Sequence, residues 1–111
     1  MIQTELTRFK VKTGKTATVD EWMTFLNDHM KETLLKKMFI ETVFREQLDG
    51  IEYLYWYSVQ RNGRNRVENS ENWIDKKHLE YWDECIDSSY KPIDLTAEVV
   101  MIPDKIRINM N

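Results

Sequence analysis

The chain has 111 residues, a net charge of −3, 4 Trp, 5 Tyr and 4 Phe side chains, and one cysteine. This length predicts one domain over residues 1–111 with a single two-layer core. The balanced charge argues against nucleic acid and anionic membranes as partners, and one cysteine excludes an internal disulfide and a cysteine-rich metal site. No stretch has the length and hydropathy of a signal peptide or a membrane span, so we expect a cytoplasmic protein.

The first predicted elements are a strand over residues 2–12 and a helix from Thr18 to about Leu35. The strand alternates in hydropathy, with a slip in phase at Thr7-Arg8 that predicts a bulge. Thr18 and Glu21 have the spacing of a capping box at the start of the helix. Behind them the apolar residues recur at helical spacing: Val19, Trp22, Met23, Leu26, Met30 and Leu34.

A hairpin over residues 38–60 organises the rest of the chain. Two β-rich runs flank Asp49-Gly50, which predicts a two-residue turn. With this turn Phe44 lies opposite Tyr55, and the period of two divides the side chains between two faces. One face carries Tyr53, Tyr55 and Tyr57, and the other carries Val43, Leu54 and Trp56.

A second helix is predicted from about residue 70 or 72 to Ile86, after a polar loop over 61–72. Its apolar stripe contains Ile74, His78, Trp82, Cys85 and Ile86. The last predicted strand covers residues 95–102 and ends before Pro103. The tail over 104–111 alternates in hydropathy and predicts a further short strand, which a neighbouring subunit can accommodate.

The order strand, helix, strand, strand, helix, strand predicts a ferredoxin-like two-layer sandwich. In this α+β fold, a four-stranded antiparallel sheet carries both helices on one face. Strands one and three are then central, and we expect the helices to cover the three tyrosines. The other face would stay open, and its apolar side chains predict a homodimer interface formed by Val43, Leu54 and Trp56.

His78 is the candidate catalytic residue, because it interrupts the apolar stripe of the second helix one turn from Asp75. A desolvated imidazole can act as a general acid or base. The alternative is a core histidine that hydrogen-bonds a backbone carbonyl or a tyrosine oxygen. The predicted ligand-binding residues around it are Arg8, Trp22, Tyr53, Tyr55, Tyr57 and Trp82. Whether the tyrosines line a solvated cavity or fill a core stays open.

Other chemistries lack support in the sequence. Cys85 lies seven helical residues from His78, about 10 Å along the axis, which is too far for a nucleophilic pair. The two histidines show no metal-ligand spacing, so we expect no metal and no cofactor. RRM domains share the element order, but here only Trp56 of the third strand points outward, and no nucleotide-binding motif is present.

Three segments together resemble a family of short bacterial proteins of unknown function: RFKVK-TGK-x6-EWMTFLNDHM, the hairpin strand EYLYWYSVQ, and KKHLEYWDECID. The element order also resembles the dimeric α+β barrel superfamily, which includes cofactor-free monooxygenases, muconolactone-type isomerases and sugar mutarotases. This second resemblance implies a cavity between the helices and the sheet, in which His78, the tyrosines and Trp82 take comparable places.

Three functions therefore remain open. The first is a homodimeric domain that binds a small molecule between its helices and its sheet. The second is a structural or protein-interaction module without catalysis. The third is a cofactor-free monooxygenase or isomerase, so the sequence leaves open whether the protein is an enzyme.

Overall fold

The computed structural model describes residues 2–30, 38–61 and 72–110. Its elements follow the predicted order: β1 (Ile2–Lys10), α1 (Thr16–Asp28), β2 (Met38–Leu48), β3 (Ile51–Arg61), α2 (Trp73–Cys85), β4 (Ile93–Leu95) and a short α3 (Asp104–Arg107). The strands form one antiparallel sheet in the order β2-β3-β1-β4, with β1 and β3 central. The predicted ferredoxin-like fold is confirmed.

The hairpin has the predicted register from Ile40 to the turn, and the register shifts between Met38 and Ile40. Asp49 and Gly50 adopt φ angles of 53° and 77°, and positive angles at both central residues are what a type I′ turn requires. Phe44 lies opposite Tyr55, and Leu48 lies opposite Ile51. The local turn chemistry therefore fixes how β2 and β3 pair.

The first helix begins differently from the sequence prediction, whereas the second begins as predicted. The residue before α1 is Lys15, and no side chain caps that end, so the capping box at Thr18 is wrong. The predicted continuation of this helix to Leu35 falls on residues 31–37, which lie outside the described residues. For α2 the predicted start is confirmed, because the side chain of Asn72 accepts the N–H of Ile74 at 2.7 Å.

The structure reverses the predicted assignment of the two sheet faces. Leu54 is fully buried in the core that both helices form with the sheet, and Val43 and Trp56 pack against this core. Since side chains alternate along a strand, the tyrosines of β3 lie on the opposite face, which we call the open face. The predictions that the helices cover the tyrosines and that Val43, Leu54 and Trp56 form a dimer interface are therefore wrong.

The charged residues of the hairpin explain this reversal. Arg45 and Glu52 gave the Trp56 face a mixed character in the sequence, yet in the structure they form an ion pair. Arg45 also binds Asp20 at 2.6 Å and the backbone carbonyl of Thr16 at 2.9 Å, and the Thr16 hydroxyl donates to Glu52 at 2.8 Å. Because these charges are paired with each other and with the start of α1, the face that carries them can be buried.

The edges of the fold also differ from prediction. The pairing of β1 with β3 runs from Ile2 to Lys10 without a shift, so the bulge at Thr7-Arg8 is wrong. The last strand covers only Ile93–Leu95, and residues 96–103 are irregular rather than a strand over 95–102. The tail that was predicted to alternate as a strand forms α3 instead. In the described part of the chain, no helix is long and apolar enough to cross a membrane.

Candidate functional site

The predicted site is divided between the two faces of the sheet. Beneath the helices, one group joins Trp22, Trp56, His78 and Trp82, and we call it the indole cluster. On the open face, a second group joins Arg8, Glu46, Tyr53, Tyr55 and Tyr90, and we call it the open-face cluster.

The indole cluster is part of the core. Trp22 is fully buried, and its ring centroid lies 5.6 Å from Trp56, 5.7 Å from Trp82 and 5.6 Å from His78. Rings at these separations are in contact, so they fill the space between them. Among the described residues, these contacts leave no space between the four rings for the ligand cavity that was predicted around His78.

His78 supports the core through a neutral ring. Its Nδ1 accepts the indole N–H of Trp22 at 2.9 Å, which leaves the proton on Nε2. Burial lowers the pKa of His78 from 6.5 to about 4, and the nearby carboxylate of Asp75 opposes this shift. At neutral pH the ring is therefore an uncharged hydrogen-bond acceptor, which favours the core-histidine alternative.

This histidine predicts how stability depends on pH. Since its pKa is lower in the folded chain than in the unfolded chain, its contribution is complete above pH 6.5 and is lost as the pH falls towards 4. Between pH 7 and pH 5 we expect the parent to lose about 2 kcal/mol of unfolding free energy through this group. In His78→Gln, whose amide oxygen can still accept from Trp22, urea unfolding should show a correspondingly smaller loss. Equal losses in parent and variant would contradict the assignment.

The open-face cluster is positioned by strand pairing. Arg8 lies opposite Tyr55 in the pairing of β1 with β3, and Glu46 lies opposite Tyr53 in the pairing of β2 with β3. The Nε–H of Arg8 donates to the hydroxyl of Tyr90 at 2.9 Å. The guanidinium carbon of Arg8 lies 5.1 Å from the ring centroid of Tyr53 and 6.0 Å from that of Tyr90, within the range of cation–π attraction.

A second hydrogen bond extends the cluster to a carboxylate. The hydroxyl of Tyr55 donates to Oε1 of Glu46 at 2.6 Å, and this bond raises the pKa of Tyr55. Hydrogen bonds to Tyr90 and then to Tyr55 raise the pKa of Arg8, so the guanidinium remains charged. None of the ion pairs between described residues includes Arg8. The cluster therefore holds the Arg8 cation between the neutral hydroxyls of two tyrosines, Tyr90 and Tyr55. The second of these hydroxyls also binds the carboxylate of Glu46.

Of the predicted ligand-binding residues, the structure brings together Arg8, Tyr53 and Tyr55. Tyr57 is on the same face but farther along β3, where it lines a recess of about 250 Å³ beneath residues 95–102. Trp22 and Trp82 belong to the indole cluster. Tyr90 was missed because it lies between the second predicted helix, which ends at Ile86, and the last predicted strand over 95–102. The available signal was an aromatic residue just before the edge strand that pairs with β1.

Trp82 and Tyr90 also line a recess of about 340 Å³ between the end of α2 and the segment before β4. A recess of this size is at the lower limit for small-molecule sites. Its wall includes Lys12, Asp83 and Asp87, and the ammonium of Lys12 donates to the backbone carbonyl of Asp83 at 2.8 Å. Since the Tyr90 hydroxyl binds Arg8, the open-face cluster borders this recess. In residues 2–30, 38–61 and 72–110, no three acidic, histidine or cysteine side chains come together as metal ligands.

Exposed apolar side chains surround the open-face cluster. Strand alternation places six of them on the open face: Ile40, Phe44, Leu48, Ile51, Ile93 and Leu95. Phe44 is 56% exposed even though it lies in the middle of β2. At the other end of this face Val59 is buried, where the recess beneath the C-terminal segment begins. The open face is thus an apolar surface with the polar cluster set within it.

The chain belongs to the family of unknown function DUF6176, which matches residues 2–108. The predicted resemblance to a family of unknown function is confirmed. No curated protein matches the chain.

Among solved structures, the fold is similar to that of an L-rhamnose mutarotase from Formosa agariphila, with a TM-score of 0.51 and 15% sequence identity. The similarity covers 92% of this chain and 99% of the mutarotase chain. At this identity it supports the ferredoxin-like fold of this chain and does not establish an activity.

Proposed function

We propose that the protein is a homodimeric small-molecule-binding domain. In this proposal the ligand binds at the open-face cluster, and the surrounding apolar face is the dimer interface. The site therefore lies on the side of the sheet opposite to the position that the sequence predicted. The observation that carries the proposal is Arg8, a cation held in place by Tyr90 and Tyr55 with no carboxylate partner among the described residues.

The size and composition of the open face support self-association. With 11-residue strands at about 3.4 Å per residue, the sheet is roughly 37 Å long. A standard interface needs about 800 Å² of accessible surface from each partner. Four strands about 4.8 Å apart are roughly 19 Å wide, so a sheet face of this length covers at most roughly 700 Å², which is of the same order. Its exposed isoleucine, leucine and phenylalanine side chains form the kind of patch that soluble monomers rarely keep in water. A second copy is the simplest partner because an isologous pair buries the same face twice.

The chemistry of the open-face cluster supports a small polar ligand. The guanidinium donates hydrogen bonds, Glu46 accepts them, and the rings of Tyr53 and Tyr90 offer apolar faces. Binding sites commonly combine apolar walls with a few fixed polar groups in this way. The similar structure is called a mutarotase of L-rhamnose, which makes a polyhydroxylated molecule the first ligand class to test.

The test is ligand-dependent thermal stability. A ligand at 100 times its dissociation constant stabilises the native state by about 2.7 kcal/mol, which raises the melting temperature by several degrees. A library of sugars, sugar acids and small aromatic acids should contain compounds that raise the melting temperature of the parent protein. The Arg8→Gln variant should lose at least nine-tenths of the parent's affinity for these compounds. Arg107→Gln, an exposed arginine on α3, should bind like the parent. The proposal would be contradicted if no compound raised the melting temperature of the parent, or if Arg8→Gln bound as tightly as the parent. Either result would favour an interaction module without a ligand.

A sugar isomerase is the second candidate. The Tyr55–Glu46 pair supplies a hydroxyl and a carboxylate joined by a 2.6 Å hydrogen bond, and such groups can transfer protons to and from a sugar. Exchange between the two anomers of a bound sugar, measured by NMR, distinguishes this candidate from simple binding. Catalysis requires faster exchange with the parent than with Glu46→Gln.

A further inference from the structure

We infer that the ligand of the open-face cluster is a hydroxy-carboxylate: its carboxylate binds Arg8 and one of its hydroxyls donates to Glu46. This inference rests on the proposed function and adds the chemical class of the ligand. It depends on the charges of the open face, on the groups that hold Arg8, and on the position of Glu46.

Arg8 is a cation of the open face that no carboxylate among the described residues neutralises. Strand alternation places four charged residues of the four strands on this face: Arg8, Lys10, Glu46 and Arg61. Arg61 lies at the end of β3 opposite Ile2, where its guanidinium carbon is 5.5 Å from the ring centroid of Phe39. The ammonium of Lys10 lies 3.8 Å from Oδ2 of Asp87, so it already has a counter-ion. Arg8 has hydroxyl and ring partners instead. A second copy covering this face would remove water from Arg8, and a desolvated cation without an anion is strongly unfavourable.

The hydrogen bonds of Arg8 to Tyr90 and Tyr55 leave the other N–H donors of its guanidinium for a ligand. Tyr90 accepts from Nε, and Tyr53 and Tyr90 flank the guanidinium with their rings. A guanidinium has five N–H donors in a planar fork, and this fork matches the two oxygens of a carboxylate. Because the side chain is already ordered by these contacts, binding costs less conformational entropy than it would for a mobile surface arginine.

Glu46 determines the second part of the ligand. One of its oxygens accepts from Tyr55, and the other can accept a hydroxyl from a ligand. Its negative charge also disfavours a dianionic phosphate, which would need more than one guanidinium. A monoanion with neighbouring hydroxyls satisfies both Arg8 and Glu46. Uronates and other sugar acids have this combination of groups.

The experiment measures, by calorimetric titration of the full chain, the affinity for each acid and for its uncharged amide. A panel of uronates and short hydroxy acids is paired with the corresponding amides, and sugar phosphates form a third arm. We expect carboxylates to bind at least tenfold more tightly than their amides, a difference of about 1.4 kcal/mol. Arg8→Lys, which keeps the charge but not the fork, should weaken the carboxylates and reduce this preference. Glu46→Gln should weaken hydroxy acids more than the matched acids without the hydroxyl. The near-ultraviolet circular dichroism of each variant checks that it is folded.

The outcomes separate this inference from the proposed function. If acids and amides bind equally tightly, and Arg8→Gln still loses this binding, the ligand is not a hydroxy-carboxylate. The proposed small-molecule site then remains supported. That result is also expected if Glu46 of a second copy neutralises Arg8. Tighter binding of phosphates overturns the inference as well. Binding of no compound in any arm overturns both.

Discussion

Replacing Trp22 by alanine is expected to lower the free energy of unfolding by about 3 to 5 kcal/mol, the range measured for large aromatic residues in cores. Trp22 is fully buried, and it contacts aromatic residues from β3 and α2. Its loss removes these contacts and leaves Nδ1 of His78 without its donor. Since small domains are stable by only 5 to 15 kcal/mol, this substitution removes a large part of the total.

The matched control is Trp73→Ala. Trp73 is 61% exposed at the start of α2, so the same chemical change removes much less buried surface. Urea unfolding, followed by far-ultraviolet circular dichroism, should give a midpoint close to that of the parent for Trp73→Ala and a much lower one for Trp22→Ala. Similar midpoints for the two variants would contradict the assignment of the Trp56 face to the core.

The sequence was sufficient to predict the pairing within the hairpin but not which face of the sheet the helices cover. Asp49-Gly50 and the period of two determine that Tyr55 lies opposite Phe44, because both are local properties of the hairpin. Which face the helices cover depends on contacts between distant residues. Arg45 and Glu52 put charges on the Trp56 face, and their pairing with the start of α1 could not be deduced from spacing alone.

The candidate site was predictable in part for the same reason. The tyrosines were predicted to share one face, and they do. Arg8 joins them because β1 pairs with β3 at Tyr55, a register that no short-range pattern specifies. His78 was recognised as a polar residue in an apolar stripe, and its partner proved to be the indole of Trp22 rather than a ligand. Tyr90 reaches Arg8 only through the return of the chain into β4, so its role became visible only in the folded structure.

The most direct test of the proposed homodimer is the molar mass in solution, measured by light scattering during size-exclusion chromatography. The monomer has a mass of 13.5 kDa, and we expect the parent to show twice this value at micromolar concentration. Phe44→Glu places a charge in the middle of the open face and should give the monomer mass with an unchanged near-ultraviolet spectrum. Thr24→Glu, which adds the same charge at an exposed position on α1, should remain a dimer. A monomeric parent, or a Phe44→Glu variant that remains dimeric, would contradict the assignment of the open face to the interface.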